Sequence, residues 1–395
     1  MRPIYLDHHA TTPCDPEVVA AMLPYFTERF GNAASRTHVY GIEADAAVEQ
    51  ARRDVAALIG AEAREIVFTS GATEADNLAV LGAARARRGS GKHLIVSAIE
   101  HKAVLDAAHQ LEREGHTLDV LPVDGFGRVD AGELRRRLRP DTTLVSVMAA
   151  NNEVGTVQPL VELGEICRAH GAWFHVDATQ APGAMPIDVA AWRCDLLSLT
   201  AHKMYGPKGI GALYVRRARP KLTLEPLQYG GGHERGYRSG TLAVPMIVAL
   251  GRAARLAGAA VAAGEPERQA ALRDRLWGRL APLGAILNGH PTERLPHNLH
   301  VSVPGVEAPA VMMAAREIAF SSGSACASGG TGASHVMVAM GLGGARAFSS
   351  LRFGVGRGTT EADIDRAGDV LTDVITRLRA EQARLGSGIE GPWAR

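Results

Sequence analysis

The chain has 395 residues, of which 46% are hydrophobic and 22% charged, an ordinary make-up for a folded globular protein with room for about two to three domains. Lysine and arginine number 43 against 42 aspartates and glutamates, which argues against a broadly basic nucleic-acid binder and against an acidic solvating tail. No uninterrupted apolar run approaches the ~20 residues of a membrane helix. Met1-Arg2-Pro3-Ile4-Tyr5-Leu6-Asp7 lacks the apolar core of a signal peptide. A cytoplasmic protein is expected, with neither membrane nor nucleic acid as a direct partner.

Short apolar runs bounded by turn residues predict strands, and longer stretches with helical spacing predict helices. In chain order the expectation is helix near 42–59, strand 66–69, helix near 74–88, strand 94–97, helix near 102–114, strand 118–121 and helix near 130–138. Strand 144–149, helix near 160–170 and strands 173–177, 196–200 and 211–215 follow. This alternation predicts a mostly parallel sheet covered by helices on both faces, with ligands at the carboxyl ends of its strands. A helical stretch over 243–280 is interrupted near Gly264-Glu265-Pro266. Strands 299–303, 318–321 and 351–355 then alternate with helices near 308–316 and 361–380, as in a smaller second α/β domain. Gly386-Ser387-Gly388-Ile389-Glu390-Gly391-Pro392 reads as a frayed tail.

The four cysteines, Cys14, Cys167, Cys194 and Cys326, show no metal-ligand spacing and are too few for a disulfide framework. Cys167 and Cys194 sit in apolar surroundings and read as small buried residues. Cys326 lies between Ser321-Ser322-Gly323-Ser324-Ala325 and Ala327-Ser328-Gly329-Gly330, a segment with little to bury. Such a loop is expected to be mobile and exposed, and a thiol on it is a candidate nucleophile. Only five positions are lysine: Lys92, Lys102, Lys203, Lys208 and Lys221. Arginine stays protonated and cannot replace an amine nucleophile, so any imine-forming lysine is among these five.

The nucleotide signatures G-x-G-x-x-G and G-x-x-x-x-G-K-[ST] are missing, as are H-E-x-x-H and paired C-x-x-C. Three segments at predicted strand ends carry polar chemistry instead. Phe68-Thr69-Ser70-Gly71-Ala72-Thr73-Glu74-Ala75-Asp76-Asn77 reads as strand, turn and helix start, where outward N–H groups favour a phosphate. An ordinary cap with Thr73 facing Asp76 fits as well. In Phe174-His175-Val176-Asp177-Ala178-Thr179-Gln180, Asp177 closes a buried strand and either caps a helix or meets a cation such as a protonated pyridine nitrogen. In Leu199-Thr200-Ala201-His202-Lys203, Lys203 alone of the five lysines directly follows a buried strand, and Thr200 and His202 add donors beside it. Together these three segments make the set that pyridoxal phosphate requires. His101 follows another strand end and either stacks on the ring or begins a solvated helix; Asn152 also follows a strand.

These strings, with Tyr5-Leu6-Asp7, Ala10-Thr11-Thr12-Pro13, Glu100-His101-Lys102, Asn151-Asn152-Glu153, Gly230-Gly231-Gly232-His233-Glu234-Arg235-Gly236, Arg238-Ser239-Gly240-Thr241, Ser321-Ser322-Gly323-Ser324-Ala325-Cys326 and Arg352-Phe353, resemble one family over nearly the whole chain. It is that of the cysteine desulfurases of the iron–sulfur-cluster (IscS/NifS-like) type, within the class V aminotransferase group. The Ser-Ser-Gly-Ser-Ala-Cys string is similar to the subgroup with a long cysteine loop.

The resemblance implies an α/β fold-type I pyridoxal-phosphate transferase. Its large domain, 13–258, would hold a mostly parallel seven-stranded sheet, and 1–12 with 259–395 would form a smaller α/β domain carrying the cysteine loop at about 321–334. It implies Lys203 as the imine lysine, Asp177 as partner of the pyridine nitrogen and Gln180 as donor to the ring hydroxyl. His101 would stack on the ring and assist proton transfer. Ala72, Thr73, Thr200 and His202 would hold the phosphate. Thr241 would reach the phosphate of a neighbouring subunit in a homodimer. Asn152 would touch the cofactor and, with Arg352, fix the substrate carboxylate. The implied reaction converts L-cysteine to L-alanine and leaves a persulfide on Cys326 for an acceptor protein, such as an iron–sulfur scaffold or a tRNA-thiolation partner. A selenocysteine lyase or an ordinary class V aminotransferase would use the same frame. Thr200-Ala201 stands where the family often has Ser-Gly, and the short carboxyl tail departs from its scaffold-docking end, which leaves the acceptor open.

Overall fold

The computed structural model describes residues 2–217, 222–322 and 333–384. Cys326, Lys221 and the tail at 386–392 lie outside the described residues.

After a short β1 (Ile4–Tyr5), seven strands build one sheet: β2 (Ile66–Thr69), β3 (His93–Ser97), β4 (Thr117–Leu121), β5 (Thr142–Ser146), β6 (Trp173–Asp177), β7 (Leu196–Thr200) and β8 (Gly211–Val215). Their order is β2-β8-β7-β6-β5-β3-β4. Only β8 runs against its neighbours, pairing antiparallel with both β2 and β7; the other neighbours pair parallel. Every residue of β2, β3, β5, β7 and β8 is buried, which is why these strands read as continuous apolar runs rather than alternating ones. β4 lies at the sheet's edge and is half exposed. The strand expected over 144–149 ends at Ser146 in β5. The backbone nevertheless stays tied to β6, because Val147 and Ala149 donate to the carbonyls of His175 and Asp177.

The helix expected near 74–88 begins at Ala72 and is not uniform: Ala72–Asn77 leads through a π-helical turn, Leu78–Gly82, to Ala83–Ala86. At Gly82 the chain presses against the Leu224–Glu225 backbone, where a Cβ would lie 2.8 Å from a carbonyl oxygen. The stretch over 243–280 divides into Val244–Ala262 and Glu265–Leu280. Gly264 supplies the left-handed break (φ 80°) and Pro266 suits the new first turn. Val244–Ala262 is long and apolar enough by composition to cross a membrane, but Ile247, Leu250, Ala254 and Ala257 are buried in the core. Gly251 lets it close on Val39–Leu58, since a Cβ there would meet Ala51 Cα at 2.6 Å.

The rest of the chain forms β9 (Ile286–Leu287), β10 (Asn298–Ser302), β11 (Ile318–Ala319), β12 (Ser321–Ser322) and β13 (Ser350–Gly354). Four of these make an antiparallel sheet ordered β12-β13-β10-β9. Glu265–Leu280 and Glu361–Arg384 cover it, with Leu276, Leu299, Phe353 and Leu371 in its core. The strand expected over 318–321 is split: β11 pairs parallel with β1, whereas β12 pairs with β13. Leu6 is thereby drawn into this second core.

Candidate active site

A cavity of about 470 Å³ opens at the carboxyl ends of the parallel strands. Its walls come from the turns after β2, β3, β5, β6 and β7, so it gathers residues 70 to 209 onto one edge of the sheet. This is where a sheet of this topology leaves room for a ligand.

One corner is the turn Ser70–Gly71 and the helix start beyond it. Ala72 and Thr73 line the cavity, and backbone N–H groups of a first helical turn lack intrahelical partners. The turn lies flat on the sheet because residue 211 is glycine: a Cβ there would sit 2.7 Å from the Gly71 carbonyl carbon. The capping expected between Thr73 and Asp76 does not form. Glu74 closes the turn instead, accepting from Ser70 N at 2.7 Å and pairing with Arg238 at 2.9 Å. Thr200 and His202 face this corner from the end of β7. Burial, reinforced by the charges of Lys203 and Lys208, pushes the His202 imidazole down to about 4. The ring is therefore neutral at neutral pH, with its Nδ1 set 3.2 Å from Thr11 Oγ1.

Asp177 and Lys203 line the same cavity. Asp177 ends β6 and accepts from Thr179 N at 2.9 Å. The turn carrying Lys203 is clasped by the N-terminal segment. Thr12 N donates to His202 O at 2.9 Å, Tyr205 N donates to Thr12 Oγ1 at 2.8 Å, and the Lys203 ammonium donates to the His9 carbonyl. Tyr205 holds a left-handed conformation (φ 65°), which costs energy in a non-glycine residue. Its hydroxyl accepts from Arg357 N at 2.7 Å, and the Arg357 guanidinium covers its ring at 4.1 Å. Gln180 is oriented by His9, whose Nδ1 lies 3.1 Å from Gln180 Oε1.

His101 lines the cavity and also caps the helix Lys102–Arg113, its Nδ1 accepting from Ala103 N at 3.1 Å. His101 thus begins a helix and faces the cavity at once. Asn152 lines the cavity as well. Arg352 stands just behind it: Nη1 donates to Asn152 O at 3.0 Å and Nη2 to Asp7 Oδ1 at 2.9 Å. Arg352 is 1% exposed and does not itself line the cavity. Thr241 is exposed and lies away from it. Of the residues singled out from the sequence, Ala72, Thr73, His101, Asn152, Asp177, Gln180, Thr200, His202 and Lys203 therefore meet in one place.

Sequence reasoning missed several others. His9 sits in the stretch before Thr11, stacked on His297 with ring centroids 4.3 Å apart. Lys208 lines the cavity as well. Asp76 lines it too, fully inside the protein. Glu153 is buried next to Asn152 and accepts from Ser334 Oγ at 2.5 Å; burial pushes its carboxyl up to about 7. Local sequence gives little sign of their places, although Asp76 and Glu153 lie within recognised strings and His9 next to one.

Residues 4–367 match the Aminotransferase class-V family. The chain belongs to that family. A class V member similar to it is a cysteine desulfurase IscS of Anaeromyxobacter sp. (strain Fw109-5), 54% identical over 379 residues, covering 95% of this chain and 93% of that protein. Among solved structures, a NifS-like protein superposes with a TM-score of 0.88 at 35% identity, covering 95% of this chain and 100% of that one. A structure described as SspA in complex with cysteine superposes at 0.79 with 36% identity, covering 89% of this chain and 98% of that one. The mostly parallel seven-stranded sheet with its covering helices is thus the α/β fold-type I architecture of class V enzymes, as the resemblance implied.

Proposed function

We propose that the chain is a pyridoxal-phosphate-dependent cysteine desulfurase, converting L-cysteine to L-alanine and leaving a persulfide on Cys326. The observation that carries this reading is the shared cavity: the Lys203 amine, at the end of β7, and the strand-end carboxylate of Asp177 face it together with a helix start suited to a phosphate. The residues present suit the cofactor, since each of its polar ends finds a matching donor or acceptor type in that cavity. Near half-identity to cysteine desulfurases over 95% of the chain supports the choice of substrate.

Pyridoxal phosphate supplies an electron sink for the carbanion at the substrate Cα. The chain's residues do the rest. N–H groups of Ala72 and Thr73, with the Thr73 and Thr200 hydroxyls and the neutral His202 ring, hold the phosphate. Asp177, as a carboxylate, keeps a proton on the ring nitrogen. Gln180, aimed by His9, donates to the ring hydroxyl, and His101 stacks on the ring. Lys203 tethers the cofactor and, when released, moves the Cα proton with help from His101. Asn152 and Arg352 take the substrate carboxylate, Arg352 through a two-pronged pair that exchanges with its contact to Asp7. The Cys326 thiolate then attacks the substrate sulfur. A sulfur–sulfur bond forms, the carbon–sulfur bond breaks, and its electron pair stays with the carbon, which is protonated and leaves as alanine.

In this reading 13–258 is the cofactor-binding domain, and 1–12 with 259–395 is a smaller domain carrying Cys326. The enzyme works in the cytoplasm as a homodimer in which Thr241 serves the phosphate of the other subunit. Its exposed position supports that, as do the exposed Leu23, Phe26, Phe30, Val39, Tyr40 and Ile42, an apolar grouping of the kind that interfaces cover. The sulfur passes to an iron–sulfur scaffold or a tRNA-thiolation partner. The deciding experiment incubates the holoenzyme with L-cysteine alone and measures alanine and Cys326 persulfide. Equal first-turnover yields are expected. Alanine that forms only when a keto acid is added, or a persulfide on another thiol, overturns the reading.

A further inference from the structure

Asp76 is 1% exposed, lines the cavity beside Asp177 and has no hydrogen-bond partner on either carboxyl oxygen. Among the described residues no lysine or arginine forms an ion pair with it. His175 Nε2 lies 3.6 Å from Asp76 Oδ1, but both ring nitrogens are already engaged, with Ser146 Oγ at 2.8 Å and Ser198 Oγ at 3.0 Å. Burial drives the His175 ring down to about 4, so it is neutral. The ionisable groups that bear on Asp76 are two further acids, Asp177 and Glu100, and burial and Asp177 outweigh the opposing effect of the Ser198 hydroxyl. Glu74, on the same helix, is satisfied by Arg238 and Ser70.

A buried carboxyl without a partner, sharing its pocket with a second acid, favours its neutral form. The protons are apportioned by the donors available. Asp177 accepts a backbone N–H from Thr179 at 2.9 Å, whereas Asp76 accepts none. His175 and Asp177 are two residues apart on β6 and so present the same face of the strand.

We infer that Asp76 is a positioning residue, a neutral carboxylic acid that donates its proton towards Asp177 and holds that carboxylate charged and aimed at the ring nitrogen. The carbonyl oxygen of Asp76 then turns to the His175–Ser198 side. Asp177 gains a donor that survives exclusion of water from the pocket, and its basicity is set by this bond. The consequence for the ring rests on the pyridoxal-phosphate reading; the protonation of Asp76 does not, because it belongs to the bare protein.

The two parts are tested separately. Infrared difference spectra are recorded between the cofactor-free wild type and Asp76→Asn at neutral pH. A protonated-carboxyl band lost in the variant is expected; loss of a carboxylate band in its place overturns the inference. Cofactor affinity and the pH midpoint of cofactor absorbance are then compared in wild type, Asp76→Asn and Asp76→Leu. Asparagine keeps a neutral donor and should stay close to wild type in both readouts. Leucine removes the donor and should weaken cofactor binding by about tenfold, the worth of one hydrogen bond to a charged group, and move the midpoint. An asparagine variant as impaired as the leucine one shows that charge, not donation, matters, and overturns the inference. So does a leucine variant indistinguishable from wild type. A wild type that binds no cofactor sinks the functional reading instead, and the infrared band still decides the state of Asp76.

Discussion

Strand β2 joins two buried polar regions that are built from the same residue types in opposite ways. At its amino end Arg52 and Glu234 meet in a two-pronged pair, at 2.7 and 2.8 Å. Arg52 also donates to Ile66 O at 2.8 Å, and Glu234 accepts from Phe68 N at 2.7 Å. At its carboxyl end the cavity leaves both oxygens of Asp76 and the Thr179 hydroxyl without partners, and one oxygen of the buried Glu100 is unpartnered too. The first region spends its charges on holding a strand in place. The second keeps polar atoms unsatisfied where a ligand or a proton can meet them, and such atoms in a native interior call for an explanation of that kind.

The contrast breaks most sharply at the cavity. Lys203→Ala should lower alanine formation by more than about 10³-fold, since one residue serves as both tether and proton carrier, with melting temperature little changed. Cys326→Ala should keep cofactor and cysteine binding but load no persulfide, as read by mass spectrometry of the trapped thiol. Undiminished turnover in the first variant, or full persulfide in the second, would remove that residue from its role.

The amino end of β2 should respond in the other currency. Glu234→Ala leaves the buried Arg52 guanidinium with only the half-exposed Glu49 as its ion partner, a defect that costs up to about 3–5 kcal/mol. Urea unfolding should show a loss of that size, while cofactor affinity per folded molecule stays within about twofold. A variant as stable as wild type would mean that the pair contributes nothing net, and the comparison would lose one of its sides.

Glu153 offers a pH-resolved version of the same question. Burial pushes its carboxyl up to about 7, against the opposing Ser334 hydrogen bond and Arg352 charge. A group whose folded value is raised adds stability that is whole below its unfolded value, near ~4.3, and is lost as pH climbs to the folded one. Stability should therefore fall between about pH 4.5 and 7 by on the order of 2–3 kcal/mol from this residue. Glu153→Gln should remove that part of the slope. Glu100, pushed up to about 8 by burial, keeps a shallower fall at higher pH in both proteins. A slope unchanged by Glu153→Gln would place the titration elsewhere.

What the sequence disclosed, and what it hid, follows the range of the interactions involved. The strands of the large sheet are legible because each buries a continuous apolar run, and Lys203 stands out because a rare residue ends one of them. Arg352 is identified by its string, yet its position behind Asn152 depends on Asp7, 345 residues away. The pairing of β1 with β11 joins residues 4 and 318 through strands too short to show a period. Asp76 is legible only as a capping partner of Thr73, because Thr-Glu-Ala-Asp looks like any polar first turn. Only the packing of that helix onto β7 and β8 shows that Glu74 turns to Ser70 and Arg238 and Asp76 to the interior.

His101 carries both halves of the contrast in one side chain, since its Nδ1 caps Lys102–Arg113 while its ring lines the cavity. Capping is a matter of one acceptor near the second helical N–H, and asparagine supplies it about as well as any residue. Stacking and proton transfer need the imidazole. His101→Ala should therefore lose about 1 kcal/mol of stability together with turnover. His101→Asn should recover most of that stability in urea titration and none of the turnover. If asparagine restores turnover as well, the ring is dispensable and His101 belongs with the structural polar groups; if it restores neither, the cap is not what holds this helix start.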